Sequence, residues 1–340
     1  MPSSLPPEHA AAEASAVRLA PSRPVAVHPR PGGGNNRLYR VDTAGGERFA
    51  LKWYPRRADD PRDRLGTEWT ALAFLRRHGL ADIPAAIAVD REAGIALYEW
   101  IDGEPVTGPG EDDIDAALAF LDRLHGLRRE EGAAALPLAS EACLSAADVL
   151  EQIARRRDRL LLAAANDQDL RHFMVDEFAP ALADAEDCAR RGGDISAPLP
   201  PEERTLSPSD FGFHNALRRP DGRVAFIDFE YFGWDDPGKL ASDFLQHPAM
   251  SLSPALSRRF RAGTSRLYGD GFGNRLNALF PLIGLRWCMI LLNEFLPDRW
   301  RGRVFAGMRD ADRAAVKRAQ LAKSRARLDA VRIALTERST

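Results

Sequence analysis

Cysteine is scarce in this chain, and the three that are present, Cys143, Cys188 and Cys288, lie far apart. An odd number of widely spaced cysteines excludes a disulfide framework and argues against a zinc cluster. Because reduced, scattered cysteines are typical of a reducing compartment, we expect a cytoplasmic protein.

An excess of charge of either sign is also missing. The 340 residues carry 47 basic and 49 acidic side chains, which gives a net charge of −2. Domains that bind nucleic acid by electrostatic attraction are distinctly basic. We therefore expect no nucleic-acid partner.

No apolar run is long enough to span a membrane without interruption. The most apolar stretch, residues 276–297, contains Pro281 and Arg286, and it falls short of 18 uninterrupted apolar residues. This pattern predicts a buried helix and no membrane partner. Residues 1–22 are rich in Pro and Ala without a basic start or an apolar centre, so a disordered tail is predicted there and not a secretory signal.

The predicted secondary structure of the chain changes near Gly103. Residues 23–102 are strand-like with one strong helix, and residues 103–340 are mainly helical apart from a loop and strand at 205–229. "RLYRVDT" and "RFALKWY" flank "AGGE", which is typical of a β-hairpin. The fold class predicted is α+β, with a small β-rich N-terminal lobe and a larger helical C-terminal lobe that would include the tail of the chain.

A strand lysine and a helix glutamate form the first candidate pair. Alternation along "RFALKWY" puts Phe49, Leu51 and Trp53 on one face and Lys52 on the other. In the helix that follows, Glu68 lies on an apolar stripe with leucines at 65, 72 and 75. Either residue alone is typical of a solvated surface. A carboxylate on an apolar stripe needs a cation, however, and Lys52 is the obvious partner.

The segments "TLSPSDFGFHNAL" and "RVAFIDFEYFGWDDP" supply the remaining polar residues. Asp210 precedes Asn215 by five positions, and Asp228 follows a short apolar strand. Asp, Gly and Asn are turn formers, so this region alone would also fit a surface turn. The strand that ends at Asp228 favours a metal site.

Taken in order, these residues fit phosphoryl transfer from ATP, a reaction that needs positioning and neutralisation of phosphate charge. The run "GGGNN", with Gly33 and Gly34, would approach the phosphates, and Lys52 would contact them while Glu68 holds its ammonium. Asn215 and Asp228 offer the oxygen ligands that suit Mg²⁺. Asp210 would accept the proton of a substrate hydroxyl.

Six motifs in this order resemble the aminoglycoside phosphotransferase/choline kinase family, the small-molecule branch of the protein-kinase-like fold. They are "GGGNNRLYRV", "FALKWY", "EWTALAFL", "LDRLHGL", "SDFGFHNAL" and "VAFIDFEYFGWDDP", and they span roughly residues 25–300. The resemblance implies the roles given above, and it implies that the backbone around Glu99–Ile101 meets adenine. The expected cofactors are ATP and Mg²⁺, and the expected partner is a small molecule that carries a hydroxyl group.

The chain departs from the family pattern at three positions. Glu230 stands where a kinase-type D-F-G motif has glycine, a variation that is common in the small-molecule branch. Pro208 stands where the family usually has a histidine that braces the loop, and His214 could compensate for it. Leu240 stands where an aspartate is expected, so the brace could fall to Asp235, Asp236 or Asp243.

Two functions therefore remain open. The first is a kinase for a sugar, an amino alcohol or an aminoglycoside-like compound. The second is a nucleotide-binding pseudokinase that acts as a scaffold or regulator, and it is suggested by Pro208 at the position of the usual histidine. Basic residues at 286, 299, 301 and 303 favour a neutral or anionic acceptor over a polycationic one. The sequence does not predict the oligomeric state.

Overall fold

The computed structural model describes residues 7–30, 36–55, 62–191, 193–250, 252–305 and 309–336. The chain divides into two compact units. The first contains residues 1–140 and 206–234, and the second contains residues 141–205 and 235–340. This division differs from the predicted boundary near Gly103, because the loop of Asp210 and the segment of Asp228 belong to the first unit.

A five-stranded antiparallel sheet forms the start of the first unit, in the order β1-β2-β3-β5-β4. Its strands are β1 (Pro24–Arg30), β2 (Arg37–Thr43), β3 (Arg48–Trp53), β4 (Ala86–Asp90) and β5 (Ile95–Glu99). The predicted hairpin is confirmed, since β2 pairs with β3 in a register that joins Asp42 to Arg48. The sheet places Leu51 in a buried apolar cluster with Phe49 and Trp53, as alternation predicts.

The N-terminal segment was predicted to be disordered, and that prediction is wrong for residues 7–19, which form helix α1 (Pro7–Leu19). Ala12 and Ala16 of this helix are buried against Tyr39, Val41 and Leu51. The small alanine side chains allow the helix to lie close to the sheet. Packing, and not composition, therefore decides the structure of this segment.

Helix α2 (Arg64–Arg77) carries the predicted glutamate. Its N-cap is Asp63, whose side chain accepts a hydrogen bond from the backbone of Gly66. Gly79, just past the end of the helix, has a φ of 79°, a conformation that glycine adopts without strain. The predicted stripe is confirmed, because Leu65, Glu68 and the leucines at 72 and 75 are all buried.

The rest of the first unit includes residues 206–234 and the elements that pack on them. It contains β6 (Glu104–Pro105), α3 (Glu111–Leu127), β8 (Ala216–Arg218) and β9 (Val224–Phe226), and the three strands form one sheet in the order β6-β8-β9. Two further strands, β7 (Thr205–Ser207) and β10 (Gly233–Asp235), pair with each other. Phe120 of α3 packs on Phe211 and Phe226, which explains why this distant segment joins the first unit.

The second unit is helical. Its helices are α4 (Ala146–Ala163), α5 (Gln168–His172), α6 (Ala179–Arg191), α7 (Pro237–Gln246), α8 (Pro254–Tyr268), α9 (Phe272–Leu291), α10 (Pro297–Phe305) and α11 (Arg313–Thr336), with a π-helical turn at Phe173–Phe178. Helix α9 lies in its apolar core, where Leu282, Ile283 and Leu285 are fully buried. The predicted buried helix is thus confirmed.

One segment of the described residues, Phe272–Phe295, is long and apolar enough to cross a membrane. An 18-residue window of this segment has a mean hydropathy of 1.5, and 61% of that window is buried inside the protein. A core helix has these properties, so the segment is explained by its place in the second unit.

Candidate active site

Lys52 and Glu68 are in direct contact, as their positions in the sequence predict. The Lys52 Nζ donates to Glu68 Oε2 at 2.7 Å, and the exposed fractions of the two side chains are 11% and 3%. Lys52 lies on the face of β3 opposite to Leu51, and Glu68 of α2 points toward Lys52. The pair therefore forms where strand alternation meets the helical stripe.

Two tyrosines that the sequence analysis did not assign complete the surroundings of Glu68. The Tyr54 hydroxyl donates to Glu68 Oε2 at 2.5 Å, and it also lies 3.0 Å from the hydroxyl of Tyr98. On its other oxygen, Glu68 accepts the backbone N–H of Phe229 at 3.3 Å. Glu68 is therefore held by Lys52 of β3, by Tyr54 and by the residue that follows Asp228.

Asp228 is the second carboxylate at Lys52. The Lys52 Nζ donates to Asp228 Oδ1 at 3.0 Å. Burial alone would lower the pKa of the Lys52 ammonium, but Asp228 and Glu68 outweigh burial and hold that pKa above its ordinary value. Lys52 is consequently charged at neutral pH, which its contact with phosphate would require.

The β8–β9 hairpin brings Asn215 and Asp228 to one end of the sheet. Ala216 pairs with Phe226, and the backbone N–H of Ile227 donates to the carbonyl of Asn215 at 2.9 Å. Asn215 precedes the first strand of the hairpin and Asp228 follows the second, so the two predicted metal ligands lie beside each other. Asp228 has a φ of 69°, a value that is uncommon for a residue other than glycine and that occurs often at functional sites.

The loop of Asp210 is fixed by hydrogen bonds of its own serines. The Ser207 hydroxyl accepts the backbone N–H of Ser209 at 2.9 Å, and the Ser209 hydroxyl donates to the carbonyl of Ser140 at 2.8 Å. Ser209 has a φ of 66°, so the chain turns sharply just before Asp210. These bonds hold the loop on both sides of Pro208.

Residues 137–140 connect this loop to the segment after Asp228. The backbone N–H of Ser140 donates to the carbonyl of Tyr231 at 3.0 Å, and Trp234 exchanges backbone hydrogen bonds with Pro137 and Ala139. A Cβ on Gly233 would meet the Pro137 carbonyl at 2.4 Å, so this close approach requires glycine. Ser140 thus joins the two candidate catalytic segments through its own backbone.

Aromatic packing anchors the same two segments. Phe211, which follows Asp210, is stacked on Phe120 with ring centroids 5.7 Å apart. Phe229, which follows Asp228, also packs on Phe120 at 6.3 Å. Phe226, Phe229 and Phe232 are all buried, so these aromatic side chains form part of the core of the first unit.

His214 and Asn215 both contact Asp210. His214 Nε2 lies 3.1 Å from Asp210 Oδ1. The Asn215 Nδ2 donates to the Asp210 carbonyl at 3.0 Å and approaches Oδ2 at 3.4 Å. Because its amide nitrogen is used in this way, the amide oxygen of Asn215 is the atom left to bind a cation.

Glu230 adds a third carboxylate beside Glu68 and Asp228. One oxygen from each of these residues lies within 4.8 Å of the others, and Glu230 accepts a hydrogen bond from Asn36 Nδ2 at 3.0 Å. The sequence predicts no role for Glu230. Its burial, with 3% of the residue exposed, shows that it belongs to the acidic cluster.

The remaining residues predicted to contact the nucleotide phosphates and adenine are Gly33, Gly34, Glu99 and Ile101. Gly33 and Gly34 lie outside the described residues. Glu99 ends β5, where its carboxylate accepts the backbone N–H of Ala85 at 3.1 Å, and Ile101 is buried in the connection that follows. Their contact with adenine stays a prediction.

The aspartates considered as loop braces all take part in contacts inside the second unit. Lys239 donates to Asp235 at 2.7 Å and lies 3.2 Å from Asp243, which also pairs with Arg286. Asp236 caps α7 through the backbone of Gly238. A role of Asp235, Asp236 or Asp243 in bracing the loop of Asp210 stays a prediction.

The fold is shared with several solved phosphotransferases. The choline kinase LicA from Streptococcus pneumoniae has 16% identity and a TM-score of 0.59, with 95% of this chain and 99% of that chain covered. An ethanolamine kinase of Plasmodium vivax has 15% identity and a TM-score of 0.55, with 88% and 82% covered. The phosphotransferase APH(2")-IIa, solved with gentamicin, has 16% identity and a TM-score of 0.61, with 96% of each chain covered. At these identities the likeness establishes a protein-kinase-like fold.

Sequence comparison assigns the family. No curated protein sequence matches the chain at a significant level. Residues 26–277, well over half of the chain, match the profile of APH, the phosphotransferase enzyme family. Because this match runs through both the strand of Lys52 and the segment of Asp228, the chain belongs to the phosphotransferase enzyme family, as the resemblance of its motifs predicts.

Proposed function

We propose that this protein is a kinase that transfers the γ-phosphate of MgATP to a hydroxyl group of a small polar molecule. The observation that carries the proposal is the contact of Lys52 with both Glu68 and Asp228, at 2.7 and 3.0 Å. A buried ammonium held between two carboxylates is suited to a phosphate group, because the partners keep the ammonium charged and in place.

The donor set fits a magnesium ion. Asn215 and Asp228 supply oxygen atoms from neighbouring strand ends, and the carboxylates of Asp228 and Glu68, both in contact with Lys52, cluster with that of Glu230. Hard oxygen ligands with excess negative charge are what Mg²⁺ prefers. When bound, the ion would neutralise the charge of the transferring phosphate.

The chain's own residues divide the remaining work. Lys52 would bind the phosphates, and Glu68 would hold its ammonium. As the acceptor oxygen forms its bond to the γ-phosphorus, its proton would pass to Asp210, and the bond to the β-phosphate oxygen would break to release ADP. Glu99 and Ile101 would present backbone groups to adenine.

The acceptor is proposed as a class. Structures with the same fold are named as kinases for choline and ethanolamine, and one is a complex with gentamicin. These names support a small acceptor with a hydroxyl group: an amino alcohol, an aminoglycoside-like compound or a sugar. Arg286 is one of the four arginines that favour a neutral or anionic acceptor in the sequence. Because it is buried and paired with Asp243, it no longer supports that preference.

The test replaces the base without changing its shape. Asp210→Asn should lower transfer of radiolabelled γ-phosphate from MgATP, to water or to an acceptor panel, by at least about 100-fold. Binding of MgATP by calorimetry should stay within about threefold of the wild type, since Asp210 acts only in the transition state.

Asp221→Asn is the matched control, because Asp221 lies on the exposed turn of the β8–β9 hairpin. Its transfer rate should equal that of the wild type. Normal turnover by the Asp210 variant would show that another group is the base. A wild-type protein that binds MgATP but transfers no phosphate would support the scaffold alternative.

A further inference from the structure

We propose that His214 is the positioning residue of this site, and that it orients the Asp210 carboxylate for proton transfer. The proposal rests on the proposed kinase function and names a residue beyond the base, the phosphate ligand and the metal ligands. It starts from the contact between His214 Nε2 and Asp210 Oδ1, at 3.1 Å.

The backbone of the loop has its supports already. Ser207 and Ser209 hold the chain around Pro208, and Phe211 is buried against Phe120. Proline at position 208 therefore removes a histidine side chain without leaving the loop backbone unsupported. The main-chain position of Asp210 is set by these contacts.

A fixed backbone does not fix a carboxylate. Aspartate has two rotatable side-chain bonds, so Asp210 still needs a partner that selects one orientation. An ionised carboxylate can only accept, so the imidazole donates through its Nε2–H, and this requires the tautomer protonated at Nε2. Asn215 Nδ2 approaches the other oxygen at 3.4 Å, and the two contacts together define the plane of the carboxylate.

The surroundings of His214 favour a fixed side chain. Its side chain is 17% exposed, and it lies in the short 3₁₀ turn Phe213–Asn215, between buried Phe213 and the metal-ligand candidate Asn215. A second His–Asp pair at the same spacing, His172 and Asp176, is 60% exposed on both side chains. That exposed pair is typical of a helix surface and gives a control of the same chemistry.

The first experiment compares two substitutions at position 214 of the full chain, with MgATP hydrolysis by water as the measured reaction. His214→Met keeps a side chain of similar length but no donor, and His214→Gln places an amide N–H near the position of Nε2. The Met variant should lose about 10- to 100-fold in kcat with an unchanged KM for MgATP, because misorientation affects the reacting group and not nucleotide binding. The Gln variant should recover kcat to within about threefold of the wild type.

Three results would overturn the proposal. These are wild-type kcat in His214→Met, an equal loss in the Gln and Met variants, and a loss that appears only in KM. His172→Met should leave both constants unchanged, which separates this role from a general effect of losing a histidine–aspartate pair.

A second measurement does not depend on turnover. The ¹⁵N spectrum of the His214 ring, assigned by its absence in His214→Gln, should show the tautomer protonated at Nε2. That signal should move when Asp210 is changed to Asn. An unchanged spectrum in Asp210→Asn would contradict the contact. If the wild type proves inactive, the proposed function fails, and this spectrum still decides whether His214 holds Asp210.

Discussion

At the scale of single residues, the site is organised around a buried ammonium. Lys52 contacts Glu68 and Asp228, and both tyrosines near Glu68 are buried with it. Burial raises the pKa of Glu68, and the Lys52 ammonium opposes that rise. Removal of Lys52 would leave two carboxylates without their cation, and removal of Glu68 would leave the ammonium paired with Asp228 alone. Breaking a buried ion pair by removing one partner typically costs about 3–5 kcal/mol.

This arrangement predicts strong coupling between the two residues in a double-mutant cycle. Lys52→Met and Glu68→Gln should each destabilise the protein, and the double variant should be more stable than the sum of the single effects implies. We expect a coupling energy of about 1–3 kcal/mol, measured by denaturant unfolding.

The exposed pair Arg223–Asp82, at 3.0 Å, provides the comparison. Its coupling should stay below about 1 kcal/mol, since solvent screens surface ion pairs. Equal coupling in both pairs would mean that burial does not strengthen the Lys52 contact.

Sequence patterns predict the Lys52–Glu68 contact but not its neighbours. Alternation in β3 and the stripe on α2 together determine which faces meet. Tyr98 reaches the site only because β5 pairs with β3, with Tyr98 opposite Ala50. That register is set by long-range pairing, which local patterns do not contain.

At the scale of elements, α1 shows how packing outweighs composition. The segment reads as a disordered tail because Pro and Ala dominate it, yet Ala12 and Ala16 are buried on the sheet. Arg18 Nη2 also donates to Asp90 Oδ2 at 3.1 Å. The contacts of two small side chains, which carry little sequence signal, therefore place the helix.

A charge on the buried face of α1 should detach it from the sheet. Ala16→Glu should destabilise the protein by about 2 kcal/mol, because the carboxylate would lose its solvation without a partner. Hydrogen exchange should speed up in α1 and in the β1–β2 hairpin. Ala14 is exposed on the same helix, and Ala14→Glu should change stability by less than about 0.5 kcal/mol. Similar effects of the two substitutions would show that α1 does not depend on this face.

At the scale of the whole molecule, the sequence predicts the α+β class but not the division of the chain. Residues 206–234 belong to the first unit because Phe211 and Phe226 pack on Phe120, a contact between residues far apart in sequence. The second unit is likewise fixed by groups that look like surface charges in the sequence. Lys239 and Arg286 are buried there, and each pairs with Asp243.

Neither the sequence motifs nor the fold determines which acceptor molecule the protein uses. Members of one fold accept different small molecules through the shape of their pockets. Phosphate, metal and base positions are carried by short motifs at fixed spacing, which is why Lys52, Asp210 and Asp228 can be proposed from sequence.

Binding of MgATP at Lys52 and Asp228 is best measured through the stability of the chain against denaturant, with and without MgATP. At about a hundredfold the dissociation constant, the nucleotide should stabilise the wild type by about 2.7 kcal/mol. The gain should require magnesium, should be absent in Asp228→Ala and should persist in Asp221→Ala. A wild-type protein with the same stability at every MgATP concentration would contradict binding of MgATP at this site.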